Sequence, residues 1–274
     1  MRVILPSFAK INLTLRIVNK RSDGFHDIVS LFLRIPSGES ICIETNARTD
    51  SVTSNINIPG ENIISKALRI ARESGYKIPP LKIHVHKSIA FGSGLGAGSG
   101  NAGAVLQWLG AEKVAAKVGA DVSFFCSGFR AGIVSGIGDR VDALEIPETH
   151  GIVVFPEWKS ETGNAYARLD DFSKNYRHGF DNFQARRELQ AISAHMNQKG
   201  YFGLLPNDFA GMLTTQNSRY NELFKFFAES GFSAWGITGS GSAAFAIGQN
   251  AKIPNVHKGF SFKFPDFIRD VLYF

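Results

Sequence analysis

Cysteine and methionine are scarce: two Cys and three Met stand among 274 residues. Cys42 and Cys126 lie far apart in apolar surroundings, which excludes a disulfide framework and a cysteine-based metal site and predicts two buried, reduced thiols. No apolar stretch approaches the ~20 residues a bilayer-spanning helix needs. The segment Met1-Arg2-Val3-Ile4-Leu5-Pro6 carries no hydrophobic stretch with a small-residue cleavage site, so a cytoplasmic protein with no membrane partner is expected. Runs of five or six Lys/Arg are absent. The net charge of +6, from 30 basic and 24 acidic residues, is spread along the chain. Such a weak positive field suits a nucleotide or diphosphate. Nucleic acid would call for a clustered basic stripe, and only the pI near 9.3 speaks for that class. Internal repeats and low-complexity segments are also missing.

What is present is an ordinary globular composition, 44% hydrophobic and 20% charged, with phenylalanine at 23 residues carrying much of the packing. The length suits two modest domains or one large one. From residue 8 to 18 the chain alternates: Ala9, Ile11, Leu13 and Leu15 face one way, Phe8, Lys10, Asn12 and Thr14 the other. Ser22-Asp23-Gly24 reads as a turn, and Val29 to Ile35 as a strand. Asn62 to Ser74 is an amphipathic helix with Asn62 as N-cap, Gly75 after the last turn, and a stripe of Ile63, Ile64, Ala67, Leu68 and Ala71. Leu81 to His86 alternates as a strand, and a helix is expected from about Asn101 to Val118. Beyond residue 147 the texture changes, with a strand at Ile152–Phe155. A mostly helical stretch runs from Asn182 to Glu229, and two strands flank a glycine turn between Ser233 and Ile247. The expected boundary near residue 150 divides the chain into domains 1–150 and 151–274.

Between the 81–86 strand and the following helix lies Gly92-Ser93-Gly94-Leu95-Gly96-Ala97-Gly98-Ser99-Gly100-Asn101. Backbone without Cβ approaches a ligand closely and takes positive φ. Its N–H groups, with the free N–H groups and dipole of the next helix, form a cradle for phosphate oxygens. Ser99 and Asn101 are placed to cap that helix or to reach a phosphate or metal ion. No Gly-Lys-Ser/Thr follows, which excludes a P-loop. The dinucleotide pattern G-x-G-x-x-G fits loosely from Gly92 (Ala97 in third place) and fails from Gly94 (Ser99). The preceding strand is not the first of the chain, and Asp121 is no obvious ribose ligand. The plainer alternative is a flexible surface loop.

Other signals are weaker alone. Lys10 and Asn12 share a strand face: a solvated lysine, or a polar pair set into an apolar run as part of a site. Asp121, in Gly119-Ala120-Asp121-Val122-Ser123-Phe124-Phe125, is a helix N-cap or a carboxylate that orients a substrate hydroxyl and takes its proton. A lysine beside it would hold it ionised. Thr238-Gly239-Ser240-Gly241-Ser242-Ala243 is a plain strand-to-helix turn or a second approach to the same phosphates from the other domain. His84 and His86 share a strand face without a third metal ligand nearby and read as an exposed face.

Taken together these segments resemble the GHMP kinases, the family named for galactokinase, homoserine kinase, mevalonate kinase and phosphomevalonate kinase. Short motifs occur in the family's order across nearly the whole chain. The carriers are Phe8-Ala9-Lys10-Ile11-Asn12-Leu13, Arg21-Ser22-Asp23-Gly24-Phe25-His26-Asp27-Ile28, Glu61-Asn62-Ile63-Ile64-Ser65-Lys66-Ala67, the glycine loop, Gly119-Ala120-Asp121-Val122, and Asn207-Asp208-Phe209. The resemblance implies an α+β fold: an N-terminal α/β domain like that of ribosomal protein S5, an ATP-binding unit, followed by a ferredoxin-like α+β domain. It implies ATP and Mg²⁺. Within the family the likeness is to kinases whose substrate is 4-diphosphocytidyl-2-C-methyl-D-erythritol, phosphorylated at its 2-hydroxyl in isoprenoid-precursor synthesis. By residue, the resemblance implies Lys10 and Asp121 as the catalytic pair. Gly92, Ser93, Gly94, Leu95, Gly96, Ala97, Gly98 and Ser99, with Asn62 and Lys66, would hold the nucleotide. Asn12, Phe25, His26, Thr162, Tyr166, Gly239 and Ser240 would hold the substrate, Phe25 stacking on cytosine and His26 reading its edge. Ser99 is a candidate metal ligand.

The chain departs from the family pattern at Phe8 and Ala90, where proline is usual, at Gly100, where serine is usual, and at Phe25, commonly tyrosine. The stretch from the loop to Asp121 is also short. Competing expectations are another substrate of the family (homoserine, mevalonate or a sugar) and a non-catalytic metabolite sensor on the same scaffold.

Overall fold

The computed structural model describes residues 1–58, 60–89, 92–160, 162–173, 180–198, 202–248 and 264–274. Ala90 therefore lies outside the described residues. Two long antiparallel strands open the chain, β1 (Arg2–Lys20) and β2 (His26–Glu44). The turn between them is the expected one: Gly24 takes a φ of 86°, and the Arg21 amide donates to Phe25 O at 2.8 Å. β2 is longer than its apolar run suggested because it pairs along its whole length with β1. On its other side it pairs with β4 (Lys82–His86) and β5 (Ala131–Gly136). With β3 (Ser51–Ser54) and β6 (Arg140–Ala143) these strands form one six-stranded sheet.

Helices cover that sheet. α1 (Ile63–Glu73) buries Ile64, Ala67, Leu68 and Ala71, and Asn62 caps it by accepting from the Ile64 amide. Burying one such leucine or isoleucine stabilises the fold by about 1.5–3 kcal/mol. The expected single helix 101–118 is divided. α2 spans Ala97–Leu109, a 3₁₀ turn follows at Glu112–Val114, and α3 is Ala115–Val118. The cause is glycine at both ends of α2: Gly96 and Gly110 adopt left-handed conformations with φ of 63° and 65°. Helix α2 thus starts inside the glycine segment, and Ser99 and Asn101 lie within it rather than capping it. α4 (Ala120–Cys126) completes this half. Cys42 and Cys126 are free and half-buried, not fully buried. Burial pushes the Cys126 thiol up to about 12. His84 and His86 are exposed as expected.

The second sheet has the order β11-β7-β10-β9-β8. It is built from β7 (His150–Pro156), β8 (Gly203–Leu204), β9 (Ala234–Ile237), β10 (Ala244–Gly248) and β11 (Ile268–Tyr273). Helices α5 (Thr162–Ser173), α6 (Asn182–Asn197), α7 (Ala210–Gln216) and α8 (Arg219–Glu229) accompany it. The glycine turn at 238–243 joins two antiparallel strands, so it is a hairpin and not a strand-to-helix turn. The two halves share a core: Ala9, Ile11 and Leu13 of β1 belong to one apolar cluster with Val153, Leu189 and Phe245. β1 is also tied to the second half by backbone. The Leu15 amide donates to Pro206 O at 3.0 Å and the Asp208 amide to Leu15 O at 3.0 Å. Arg16 grips Glu188 with two bonds of 2.8 and 2.7 Å and Asp208 with one of 2.6 Å.

Candidate active site

Lys10 projects from the middle of β1, yet it is 4% exposed, and Asn12 is 2% exposed. A lysine is rarely so buried unless partnered, and this one is. Its Nζ donates to Asn12 Oδ1 at 2.6 Å and to Gly94 O at 3.0 Å, and it stands 3.7 Å from Asp121 Oδ2. The solvated-lysine alternative is thereby removed. Asn12 is fixed in turn: its Nδ2 donates to Ser30 Oγ at 2.9 Å and its backbone N–H to Thr238 Oγ1 at 2.9 Å. Asp121 lies in the first turn of α4, and Gly119 occupies the N-cap position. The carboxylate is therefore not the helix cap and remains available.

The two glycine turns meet over this pair. A Cβ on Gly94 would sit 3.0 Å from Gly241 O and 3.3 Å from Thr238 O. One on Gly96 would sit 3.1 Å from Asp121 Oδ2 and 3.3 Å from Lys10 Cε. Backbone can press this closely against backbone and against the Lys10–Asp121 pair only where no side chain intervenes. The loop is also pinned from below, where the Lys10 amide donates to Leu95 O at 2.9 Å. The Asn207-Asp208-Phe209 tripeptide acquires a role here. Asn207 Nδ2 donates to Ile237 O at 2.8 Å and Gly239 O at 2.9 Å, holding the second turn in place. Asp208 receives Arg16, and Phe209 is fully buried against the Tyr166 ring.

A cleft of about 860 Å³ runs over these groups. It brings together Lys10, Asn12, Phe25, His26, Asn62, Gly92, Ser93, Gly94, Gly96, Ala97, Gly98, Ser99, Asp121, Tyr166, Gly239 and Ser240. Two described residues among those anticipated stand apart from its lining. Leu95 is fully buried and contributes its carbonyl. Lys66 commits its ammonium to Val118 O at 2.7 Å, tying α1 to α3. The Thr162 side chain lies outside the described residues; the next residue of α5, Gly163, lines the cleft.

Sequence reasoning missed an apolar slot beside the glycine loop, formed by Ile56, Ile58, Ile63, Val85 and Ile89. Its residues come from separate segments, so no local pattern announces it. A flat base fits between such side chains. Lys87, also on this wall, pairs at 2.7 Å with Glu39, whose side chain is fully buried. Glu39 further accepts from the Ile89 amide at 3.1 Å, which secures the segment leading into the loop.

At the far end of the cleft Phe25 is 59% exposed and unpacked. His26 stacks on Tyr166 with ring centres 4.8 Å apart and bonds Asp170 through Nε2 at 2.8 Å. Burial, with a smaller contribution from Asp121, pushes the Tyr166 phenol up to about 12, so it stays neutral.

Asn101 Oδ1 is a buried carbonyl oxygen without a hydrogen-bond partner, and it lines the cleft with Ser99 and Asp121. Oxygen donors of this kind suit Mg²⁺, which keeps waters and takes phosphate oxygens besides one or two protein ligands. The departure at Gly100 has a steric counterpart: a Cβ there would meet Phe8 O at 1.9 Å, so side chains larger than hydrogen do not fit between α2 and β1.

Comparison with known proteins agrees with this geometry. Residues 62–139 match the model of the GHMP kinases N-terminal domain. The chain is 34% identical over 253 residues to the 4-diphosphocytidyl-2-C-methyl-D-erythritol kinase of Thermotoga maritima, covering 89% of this chain and 91% of the relative. It is 29% identical over 264 residues to the kinase of that name from Chloroherpeton thalassium, covering 90% of each. A solved structure of 4-(cytidine 5'-diphospho)-2C-methyl-D-erythritol kinase superimposes with a TM-score of 0.74 at 25% identity over 91% of both chains. Homoserine kinase from Cytophaga hutchinsonii, at 14% identity and a TM-score of 0.57 over 92% of this chain and 86% of the other, shares the fold. The two-sheet α+β architecture, the glycine loop at the start of α2 and these relatives together establish that the chain belongs to the GHMP kinase family of ATP-dependent phosphotransferases.

Proposed function

We propose that this chain transfers the γ-phosphoryl group of ATP to the 2-hydroxyl of 4-diphosphocytidyl-2-C-methyl-D-erythritol, a step of isoprenoid-precursor synthesis in the cytoplasm. The observation that carries the reading is the buried Lys10 held 3.7 Å from Asp121 beneath two glycine turns, in a cleft whose far end presents Phe25 and His26. The relatives' names supply the substrate, and the far end has the chemistry for a cytosine: one free aromatic face and one imidazole.

Residues 1–150 are read as the ATP-binding domain and 151–274 as the domain that closes the substrate side. The base of ATP lies in the apolar slot by Asn62, with its phosphates on the N–H groups of residues 92–99. The N-terminal dipole of α2 adds to the attraction for phosphate. Asp121 takes the proton of the 2-hydroxyl as the oxygen attacks the γ-phosphorus. The new O–P bond forms as the bond to the β-γ bridging oxygen breaks, and ADP leaves with that electron pair. Lys10, 3.7 Å from Asp121, lies where negative charge gathers on the equatorial oxygens. Asn12 fixes the rotamer of Lys10. Ser99 and Asn101 would hold Mg²⁺, which when bound offsets phosphate charge. Positioning and charge stabilisation of this kind are what phosphoryl transfer requires of a protein.

Coupled ADP release with the cytidine-bearing substrate, ATP and Mg²⁺ tests the reading. Turnover that CMP inhibits competitively against that substrate is expected. Turnover on homoserine or mevalonate that is indifferent to CMP would replace the substrate assignment while keeping the family.

A further inference from the structure

Asp170, on α5, appears in none of the motifs that carry the family likeness, yet it is the carboxylate bonded to the imidazole in the cleft. Its Oδ1 lies 2.8 Å from His26 Nε2, and its Oδ2 accepts from Lys20 Nζ at 2.5 Å. Lys20 and His26 face each other across the β1–β2 ladder, so Asp170 closes a three-residue arrangement from the opposite half of the molecule. The hydrogen bonds from Lys20 and His26 outweigh burial and hold its carboxyl below the usual carboxylate range. His26 Nδ1, by contrast, has no protein partner among the described residues, and the ring lines the cleft. The ring face is fixed by Tyr166 at 4.8 Å.

A carboxylate only accepts, so a neutral His26 bonded to it carries its proton on Nε2 and leaves Nδ1 as a bare acceptor. A bare acceptor matches the exocyclic amino group of cytosine and opposes the carbonyl that uracil presents at the same position. We infer that Asp170 is a positioning residue that sets the His26 tautomer and thereby makes the cleft selective for a cytosine over a uracil nucleotide. The inference rests on the function proposed above and deepens it. Among the described residues, Lys20 reaches this ring through Asp170, and the neutral Tyr166 stacks on it.

The test is the ratio of kcat/KM for the cytidine substrate to that for its uridine counterpart, in wild type, Asp170→Ala and Lys20→Ala. Wild type is expected to prefer cytidine, since facing two acceptors leaves a buried group unpaired. Asp170→Ala is expected to lower that ratio about tenfold or more, through KM for the cytidine substrate, with kcat at saturation nearly unchanged. Lys20→Ala, which leaves the His26 bond intact, is expected to keep the ratio. A purely structural role would raise KM for both substrates alike and leave the ratio where it was; that result overturns the inference. A wild type without cytidine preference overturns it together with the substrate assignment, whereas an unchanged ratio in Asp170→Ala overturns the inference alone. Should Asp170→Ala not fold, nitrogen-15 spectra of the wild-type histidines, assigned through His26→Ala, decide. A proton on Nε2 supports the tautomer, and a neutral ring protonated on Nδ1 refutes it.

Discussion

Replacing Gly100 by alanine sets two effects of opposite sign against each other. Gly100 lies inside α2, and in a helix interior alanine is favoured over glycine by about 1 kcal/mol. On that ground the substitution stabilises. The packing says otherwise. The new Cβ would stand 1.9 Å from the Phe8 carbonyl oxygen and 3.4 Å from a Phe125 ring carbon. A carbonyl within the β1–β2 ladder cannot rotate away as a side chain does, so β1 or α2 must shift by more than an ångström. Overpacking of this kind costs about 1–3 kcal/mol and more where backbone must move. The clash outweighs the gain in helix propensity, and a net loss of about 1–2 kcal/mol is expected, a fall in Tm of roughly 2–8 °C. Gly98→Ala is the internal control. It lies in the same helix, but its Cβ would meet only Ile63 Cγ2 at an ordinary 3.7 Å, so its Tm should hold or rise. Thermal unfolding followed by circular dichroism measures both. A Gly100→Ala variant as stable as Gly98→Ala would refute the close approach of α2 to β1. The same contact bears on activity, because Phe8 precedes Lys10 by two residues and the shift is passed to the catalytic pair.

Asn207→Ala removes two hydrogen bonds to the carbonyls of Ile237 and Gly239. It is expected to cost about 1–3 kcal/mol in urea unfolding and to raise KM as the second glycine turn loosens. At alkaline pH, Tyr166 and Tyr220 each sit with phenols raised to about 12, burial being the main cause. A raised folded value keeps the native state neutral while unfolded tyrosine ionises near 10, so their stabilisation is complete below that pH. It is lost between about pH 10 and 12, and unfolding midpoints measured across that window should fall. A flat profile there would contradict the burial of both phenols.

The sequence carried much of this architecture. Periodicity located β1, α1 and β4, and the resemblance brought Lys10, Asp121 and the glycine loop into one site. What it mislaid has physical causes. The end of α2 depends on Gly110 turning left-handed, which a pattern of apolar spacing does not register. Lys10 and Asn12 read also as a solvated face, because their cover comes from Gly94, Asp121 and Thr238, which lie 84 to 226 residues along the chain and leave no local mark. The apolar slot of Ile56, Ile58, Val85 and Ile89 is assembled from separated segments, and the partners of Lys66 and Asp170 are tertiary. The unusual glycine at position 100 was visible as a departure, but its meaning needed the Phe8 carbonyl.

If Lys10 and Asp121 act as one unit on the substrate hydroxyl, ADP release from wild type, Lys10→Ala, Asp121→Ala and the double variant with 4-diphosphocytidyl-2-C-methyl-D-erythritol will show it. Each single substitution is expected to lower kcat by about 10²–10⁴. The double variant should lose little beyond the worse single one, as residues acting together do. Asp121→Ala turning over at the wild-type rate, or losses in the double variant that simply multiply, would contradict it.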